Sequence, residues 1–320
     1  MRAPQGGDAP VVRLADMRSL GERAVAASGV RSGEGTFESL VREPLHDEAY
    51  FRDRQGYGES FLDGFPVPMP RCVGRAAGDE APLQSGGHVL RYSNFSVVMS
   101  VSRRIALYTA CNIDGQASKK IKRDADVWHY DDRIDRDRQA GEELYRDNAL
   151  DRGHLVRRED PVWGPQAALA NDDTFHFTNC SPQHSGLNEK TWLGLEDYIL
   201  QNARVHGLRI SVFTGPVLRD DDMVYRGVKI PKEYWKVVAF RTDARPSATA
   251  YLVSQGKLIE DLEFVFGRYK TYQVALAEVQ ELAGLDFGDL SRFDGFSNEG
   301  VLEGLRWRRE ELRSWEAIRI

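Results

Sequence analysis

The sequence predicts an α+β fold: a mainly antiparallel sheet flanked by helices. Three observations carry the prediction. Short apolar runs rich in β-branched and aromatic residues recur through the middle of the chain, bounded by turn residues, as strands do. Only a few segments carry apolar residues at helical spacing. No internal repeat or low-complexity tract interrupts the 320 residues, so neither a solenoid nor a fibrous protein fits.

Taken in order, residues 1–45 are rich in Gly, Ala, Ser, Arg and Glu, have little apolar periodicity and read as a flexible N-terminal arm. The segment YFRDRQGYGESFLDGFPVPMP (50–70) mixes aromatics with Gly and Pro, which suits ordered but irregular packing. NFSVVMSV (94–101) and RRIALYTACNI (103–113) are the first clear strands, a hairpin ending at Asp114-Gly115. Residues 157–172 read as a polar loop and DTFHFTNC (173–180) as a short alternating strand. A helix begins near 188 in NEKTWLGLEDYILQNARVHG, with Trp192, Leu195 and Ile199 at helical spacing and Gly207 as its stop. RISVFTG (209–215), YWKVVAFR (234–241) and ATAYLVS (248–254) add strands. VALAEVQELAG (274–284) is a helix closed by Gly284, and VLEGLRWRREELRSWEAI a charged amphipathic helix with Leu305, Leu312 and Trp315 on one side. The expected organisation is an arm (1–45), one domain (46–290) and a C-terminal helical tail (291–320).

Composition narrows the classes. Apolar residues make up 41% of the chain, enough for a sizeable core, yet no stretch approaches the ~20 apolar residues that span a bilayer. The N-terminal residues lack an apolar signal core and carry Asp8, Asp16 and Glu22, which argues against a transit peptide, so a cytoplasmic location is expected. Cys72, Cys111 and Cys180 are odd in number and far apart, and read as buried free thiols. The net charge of −6 offers no global attraction to a polyanion. Any such partner must meet a local basic groove, drawn from Lys119, Lys120, Lys122, Arg123, Arg152, Arg157 and Arg158. The charged run 119–138 holds seven Lys/Arg against six Asp, so a solvated, self-paired loop is the competing reading.

The chemistry-bearing residues fall between 151 and 196. A neutral histidine such as His154 suits proton abstraction from an attacking water. Asn188 opens the helix and Glu196 lies two turns on, about 80° away around the axis. An amide oxygen and a carboxylate are hard ligands of the kind Mg²⁺ takes while keeping several waters. Arg152 and Arg123 are placed to neutralise a phosphoryl group. Together these describe metal-assisted phosphodiester hydrolysis. Each part also has a plainer reading: His154 as a histidine in a salt-bridged loop, Asn188 as a helix cap, Glu196 as a solvated residue pairing with Arg204 or Lys190. No zinc spacing, phosphate-binding loop or nucleophile elbow is present in the sequence.

Asp151-Arg152-Gly153-His154 resembles the DRGH signature of the DNA/RNA non-specific endonucleases, the ββα-metal family that includes mitochondrial endonuclease G. The resemblance runs in order from about 88 to 287: FSVVMSVSRRIALYTACNIDG is similar to the opening hairpin, DDTFHFTNCSPQ to the central strand, LNEKTWLGLEDYI to the metal-binding helix, and VFTGP and IPKEYWKVV to the strands that follow. It implies a ββα-metal nuclease fold over 46–290 and a sugar-non-specific endonuclease acting on DNA and RNA with 5′-phosphate products. By the same resemblance His154 is the general base, Asn188 the direct protein ligand to Mg²⁺ (or Mn²⁺), and Glu196 holds a metal-bound water. Arg152 then contacts the scissile phosphate, as does Arg123, with Arg133 as its rival. Asn179, Gln183 and Arg157 become substrate-binding residues. His129, His176 and His184 match nothing in the family and are read as structural or surface residues.

The chain looks like the bacterial intracellular branch of that family. A homodimer and a restraining inhibitor or activating partner are expected, and no membrane. Two other readings stay open: an inactive or partner-gated nucleic-acid-binding module, and a phosphodiesterase acting on small nucleotides.

Overall fold

The computed structural model of the chain describes residues 45–123, 126–184, 193–242, 245–255, 270–296 and 309–312. Nearly all of the expected N-terminal arm, residues 1–44, lies outside them. The strands used below are β1 (Leu45–His46), β2 (Val89–Arg91), β3 (Phe95–Met99), β4 (Ala106–Asp114), β5 (Tyr130–Asp131) and β6 (Leu150–His154). They are followed by β7 (Cys180–His184), β8 (Arg209–Val217), β9 (Glu233–Thr242), β10 (Arg245–Ser254), β11 (Lys270–Val274) and β12 (Arg309–Glu311). The helices are α1 (Glu142–Tyr145), α2 (Ala167–Asp173), α3 (Leu193–His206) and α4 (Leu276–Ala283).

Eight strands form one antiparallel sheet in the order β12-β11-β10-β9-β8-β4-β3-β2. Its central strands are buried on both faces, so their side chains alternate between two apolar layers rather than between core and water. In β9, Tyr234, Val238 and Phe240 enter one core with Leu195, Ile199 and Leu200 of α3. Trp235, Val237 and Ala239 enter the other with Leu276 and Val279 of α4. Two-sided burial explains why these strands read as near-continuous apolar runs in the sequence. Both predicted helix stops hold: Gly207 and Gly284 sit at φ +59° and +67°, left-handed conformations that close α3 and α4.

The third core lies under β6 and β7, which pair antiparallel with His154 opposite Cys180 and Asp151 opposite Gln183. The strand pair followed by α3 is the strand–strand–helix succession expected from the sequence. It is fastened to the main sheet from β9 and the end of β10. The Tyr234 hydroxyl donates to the Pro182 carbonyl at 2.6 Å, and the Gln255 side chain donates to that carbonyl while accepting from the His184 amide at 2.8 Å.

Three local expectations change. Residues 167–173, assigned to a loop, form α2; the Ala-rich run AALANDD is a good helix former hidden between Gly/Pro signals. The strand expected over 173–180 is a 3₁₀ turn at Phe177–Asn179, and β7 begins only at Cys180. Here the Asn179 side chain donates to the Thr174 carbonyl at 3.0 Å, a local bond that replaces a strand ladder. In the described part of the C-terminal segment, residues 291–293 end a 3₁₀ helix (Gly288–Phe293) and 295–296 are helical, whereas 309–311 are strand. Residues 291–296 pack into the domain, where Asp294 accepts from the first amide of α4 at 2.7 Å, and Arg309–Glu311 form the edge strand β12. The open edge of β11 and the ion pair from Arg309 to buried Glu278 (2.6 Å) outweigh helix propensity there.

Gly153 sits where a side chain has no room: a Cβ would lie 2.2 Å from Gln183 Cδ, and Gln183 is fully buried and unable to swing aside. Gly153→Ala therefore overpacks the β6–β7 pair and lowers stability by roughly 1–3 kcal/mol. Urea unfolding with an unchanged midpoint would show that Gln183 yields.

Candidate active site

The alternation of β6 places Arg152 and His154 on the same side of the strand. They open into a cleft of about 690 Å³ that is also lined by Arg123, Asp126, Trp128 and Glu196. The His154 ring is held among aromatics, 4.7 Å from Trp128 and 5.1 Å edge-on to Phe175. Its Nε2 is enclosed and has no hydrogen-bond partner among the described residues. Burial drives its pKa down to about 3; Asp126 opposes the shift, and Arg123 and Arg158 add to it. The imidazole is thus neutral throughout the physiological range, and an anionic substrate nearby raises its basicity.

Asn179 does not line this cleft, contrary to the expectation of a substrate pocket. It is fully buried, and its amide group accepts from the Val156 amide (2.9 Å) and donates to the Val156 carbonyl (2.9 Å). This clamp fixes the turn leaving His154 and occupies the Asn179 amide away from the cleft. Gln183 is also fully buried, packed on Gly153, with neither amide atom hydrogen-bonded. Its place is beneath the motif, not in the cleft. Arg157 does line the cleft and pairs with Asp197 at 2.6 Å. Arg123 lines it too, whereas its rival Arg133 is locked on Asp131, stacked 3.6 Å over Phe51, and does not line the cleft.

Of the expected basic groups, Arg123, Arg152, Arg157 and Arg158 line the cleft and Lys119, Lys120 and Lys122 do not. Each of the four arginines arrives with a carboxylate: Arg123 with Asp126, Arg152 with Glu142, Arg157 with Asp197, Arg158 with Glu159. Four arginines and four carboxylates line the cleft, which is therefore close to electroneutral. Such a lining takes cations as well as anions.

Glu196 on α3 is 7% exposed and meets a residue the sequence reading passed over. Lys236 of β9 is 1% exposed and donates to Glu196 at 3.3 Å and to the Thr214 hydroxyl at 3.0 Å. Burial pushes the Glu196 carboxyl up to about 7, opposed by Lys236 and reinforced by Asp160. The available signal was a lysine inside the apolar run YWKVVAF, where an unpaired charge cannot sit.

Asn188, the candidate metal ligand, lies outside the described residues. Among the described residues no cluster of three or more His, Cys, Asp or Glu forms a metal site. Oxygen donors from Asp151, Asn148 and Glu196 do line the cleft. That donor set fits a cation such as Mg²⁺, which keeps most of its waters. No described helix is long and apolar enough to cross a membrane.

Comparison with known proteins adds four findings. The family model for DNA/RNA non-specific endonucleases matches residues 73–292, more than half of the chain. Protein y4fB of Sinorhizobium fredii is 39% identical over 313 residues, covering 90% of this chain and 47% of that protein. Mitochondrial endonuclease G of Bos taurus is 34% identical over 90 residues, 28% of this chain and 29% of its own length. The chain thus spans about half the length of the first relative and under a third of the second. A crystal structure of the EndoG/EndoGI complex matches with a TM-score of 0.52 at 20% identity, covering 63% of this chain and 86% of the matched one. At that identity the likeness is one of fold.

Two expectations follow from the buried charges. Lys236→Met strands the Glu196 carboxylate and costs roughly 3–5 kcal/mol in urea unfolding at pH 7. Adding Glu196→Gln recovers most of the loss, and failure of that recovery refutes the pairing. Second, burial holds His129 and His176 near pKa 4 against an ordinary 6.5. The unfolded chain then binds more protons between these values, so stability is complete above pH 6.5 and falls as pH drops toward 4. Thermal midpoints measured across that window read the slope, which His176→Asn makes shallower.

Proposed function

We propose, since this chain belongs to the DNA/RNA non-specific endonuclease family, that it hydrolyses phosphodiester bonds in DNA and RNA by general-base attack of water from His154. The observation that carries the reading is the convergence in one cleft of an enclosed, neutral His154 with Arg152, Arg123 and Glu196.

The geometry of the cleft supports the following roles. His154 accepts the proton of the attacking water. Trp128 and Phe175 hold the ring in place, and the Asn179 clamp fixes the chain beyond it. Arg152 and Arg123 exchange their carboxylate partners for phosphate oxygens, orienting the diester and offsetting charge that grows toward the transition state. Asn188 directly, and Glu196 through a water, would hold Mg²⁺ or Mn²⁺. When bound, the cation supplies neutralisation of the charge developing on phosphorus and on the departing 3′-oxygen. A 5′-phosphate product follows. Recognition rests on backbone phosphates, so base preference is weak. The structural relative is described in complex with EndoGI and as inhibited; restraint of this chain by a comparable inhibitor belongs to the same proposal.

Purified protein nicks plasmid and degrades RNA with Mg²⁺ and stops with chelator. His154→Ala lowers the cleavage rate by about 10²–10⁴-fold with its melting curve retained. Undiminished turnover in that variant overturns the assignment.

A further inference from the structure

We infer that a second pocket, on the far side of the wall behind His154, is a nucleobase subsite that receives the base of a nucleotide flanking the cleaved bond. The inference rests on the nuclease reading above and goes beyond it.

The wall is the extended segment leading into β5. Successive residues there point to opposite sides, so Trp128 faces His154 while His129 faces away. On that far side the His129 ring stacks on His46 at 3.9 Å and 11°, and His46 stacks on Tyr50 at 3.8 Å and 12°. Backbone pairing fixes all three. β1 pairs with β5, the Asp132 amide donates to the His46 carbonyl at 3.0 Å, and the His129 amide donates to the Phe175 carbonyl at 2.9 Å. A 2.9 Å hydrogen bond between His46 Nδ1 and His176 Nε2 ties the stack to the interior. The rings line a pocket of about 390 Å³, within the roughly 300–1,000 Å³ typical of small-molecule sites.

Two features join this pocket to the candidate active site. Phe175 is a shared partition, packing edge-on to the His154 ring while also lining the pocket. Arg123 and Arg158 line both spaces, and exposed Lys122 stands on the pocket side. A strand whose phosphates lie along these cations can place a base against the rings. That division, cations on the backbone and π-faces on the base, is how single strands are held with little sequence preference. A metal is the poorer occupant for the three histidines. The described residues contain no cluster suited to one, and both His176 nitrogens are used, one on His46 and one on the Asp173 carbonyl at 2.8 Å.

The test uses a fluorescein-labelled single-stranded octanucleotide and a series in which one base at a time is replaced by an abasic residue. Binding is read by anisotropy with chelator present, and cleavage separately with Mg²⁺. For the wild-type chain, one abasic position should weaken binding roughly tenfold. Ala168→Trp, which fills the pocket from an exposed position on α2, should lose the same factor on the intact oligonucleotide. It should lose nothing further at that abasic position. His129→Ala should behave likewise, and His129→Phe should restore base-dependent binding. Equal binding of all abasic variants, or losses that simply add to those of Ala168→Trp, overturn the subsite. Base-dependent binding without any cleavage overturns the nuclease reading and leaves the subsite standing; base-indifferent cleavage does the reverse.

Discussion

A lysine buried in the middle of a sheet cannot be left alone, and that constraint organises this domain. Lys236 must find an anion, and Glu196 on α3 supplies it. The pair fixes where α3 crosses β9 and brings a carboxylate to the wall of the His154 cleft. Removing either residue takes an ion-pair partner from the other in a medium that penalises buried charge. The sheet and the helix are thus joined by an electrostatic requirement as well as by apolar packing. The same β9 carries Tyr234, whose hydroxyl holds β7 from below. One strand therefore anchors both halves of the strand–strand–helix unit that bears the candidate catalytic residues.

Much of this was legible in the sequence because the relevant signals are local. The β3–β4 hairpin, α3, α4 and the central strands all announce themselves through periodicity and glycine stops. The DRGH stretch announces the cleft. What escaped are features set by tertiary partners. The alternation of DTFHFTNC resembles a strand, yet Asn179 spends its amide on Val156 and Thr174 and turns the chain instead. Asn179 and Gln183 were expected in the pocket from the resemblance to the family. Their neighbours bury both, which no spacing rule reveals. Lys236 was visible as a charge in an apolar run, but its partner lies 40 residues away on a helix.

The histidines show how position divides one residue type among roles. His154 sits against Trp128 and Phe175 with its Nε2 enclosed and without a hydrogen-bond partner among the described residues. His176 is sealed in the interior with both nitrogens engaged. His46 and His129 are half-buried, stacked and turned toward a second space. A partition one residue thick separates these environments, and the alternation of a short extended segment is what creates it.

The pairing of each cleft arginine with a carboxylate also sets what kind of anion the cleft can hold. Binding there is an exchange: a phosphate enters only as an aspartate or glutamate lets go. For a single phosphate the swap is nearly even, since one ion pair replaces another. For a polymer the swaps are linked, because the first exchange brings the next phosphate to the next arginine at high effective concentration. On the proposed nuclease reading, such linked exchanges would favour a chain of phosphates over a single one.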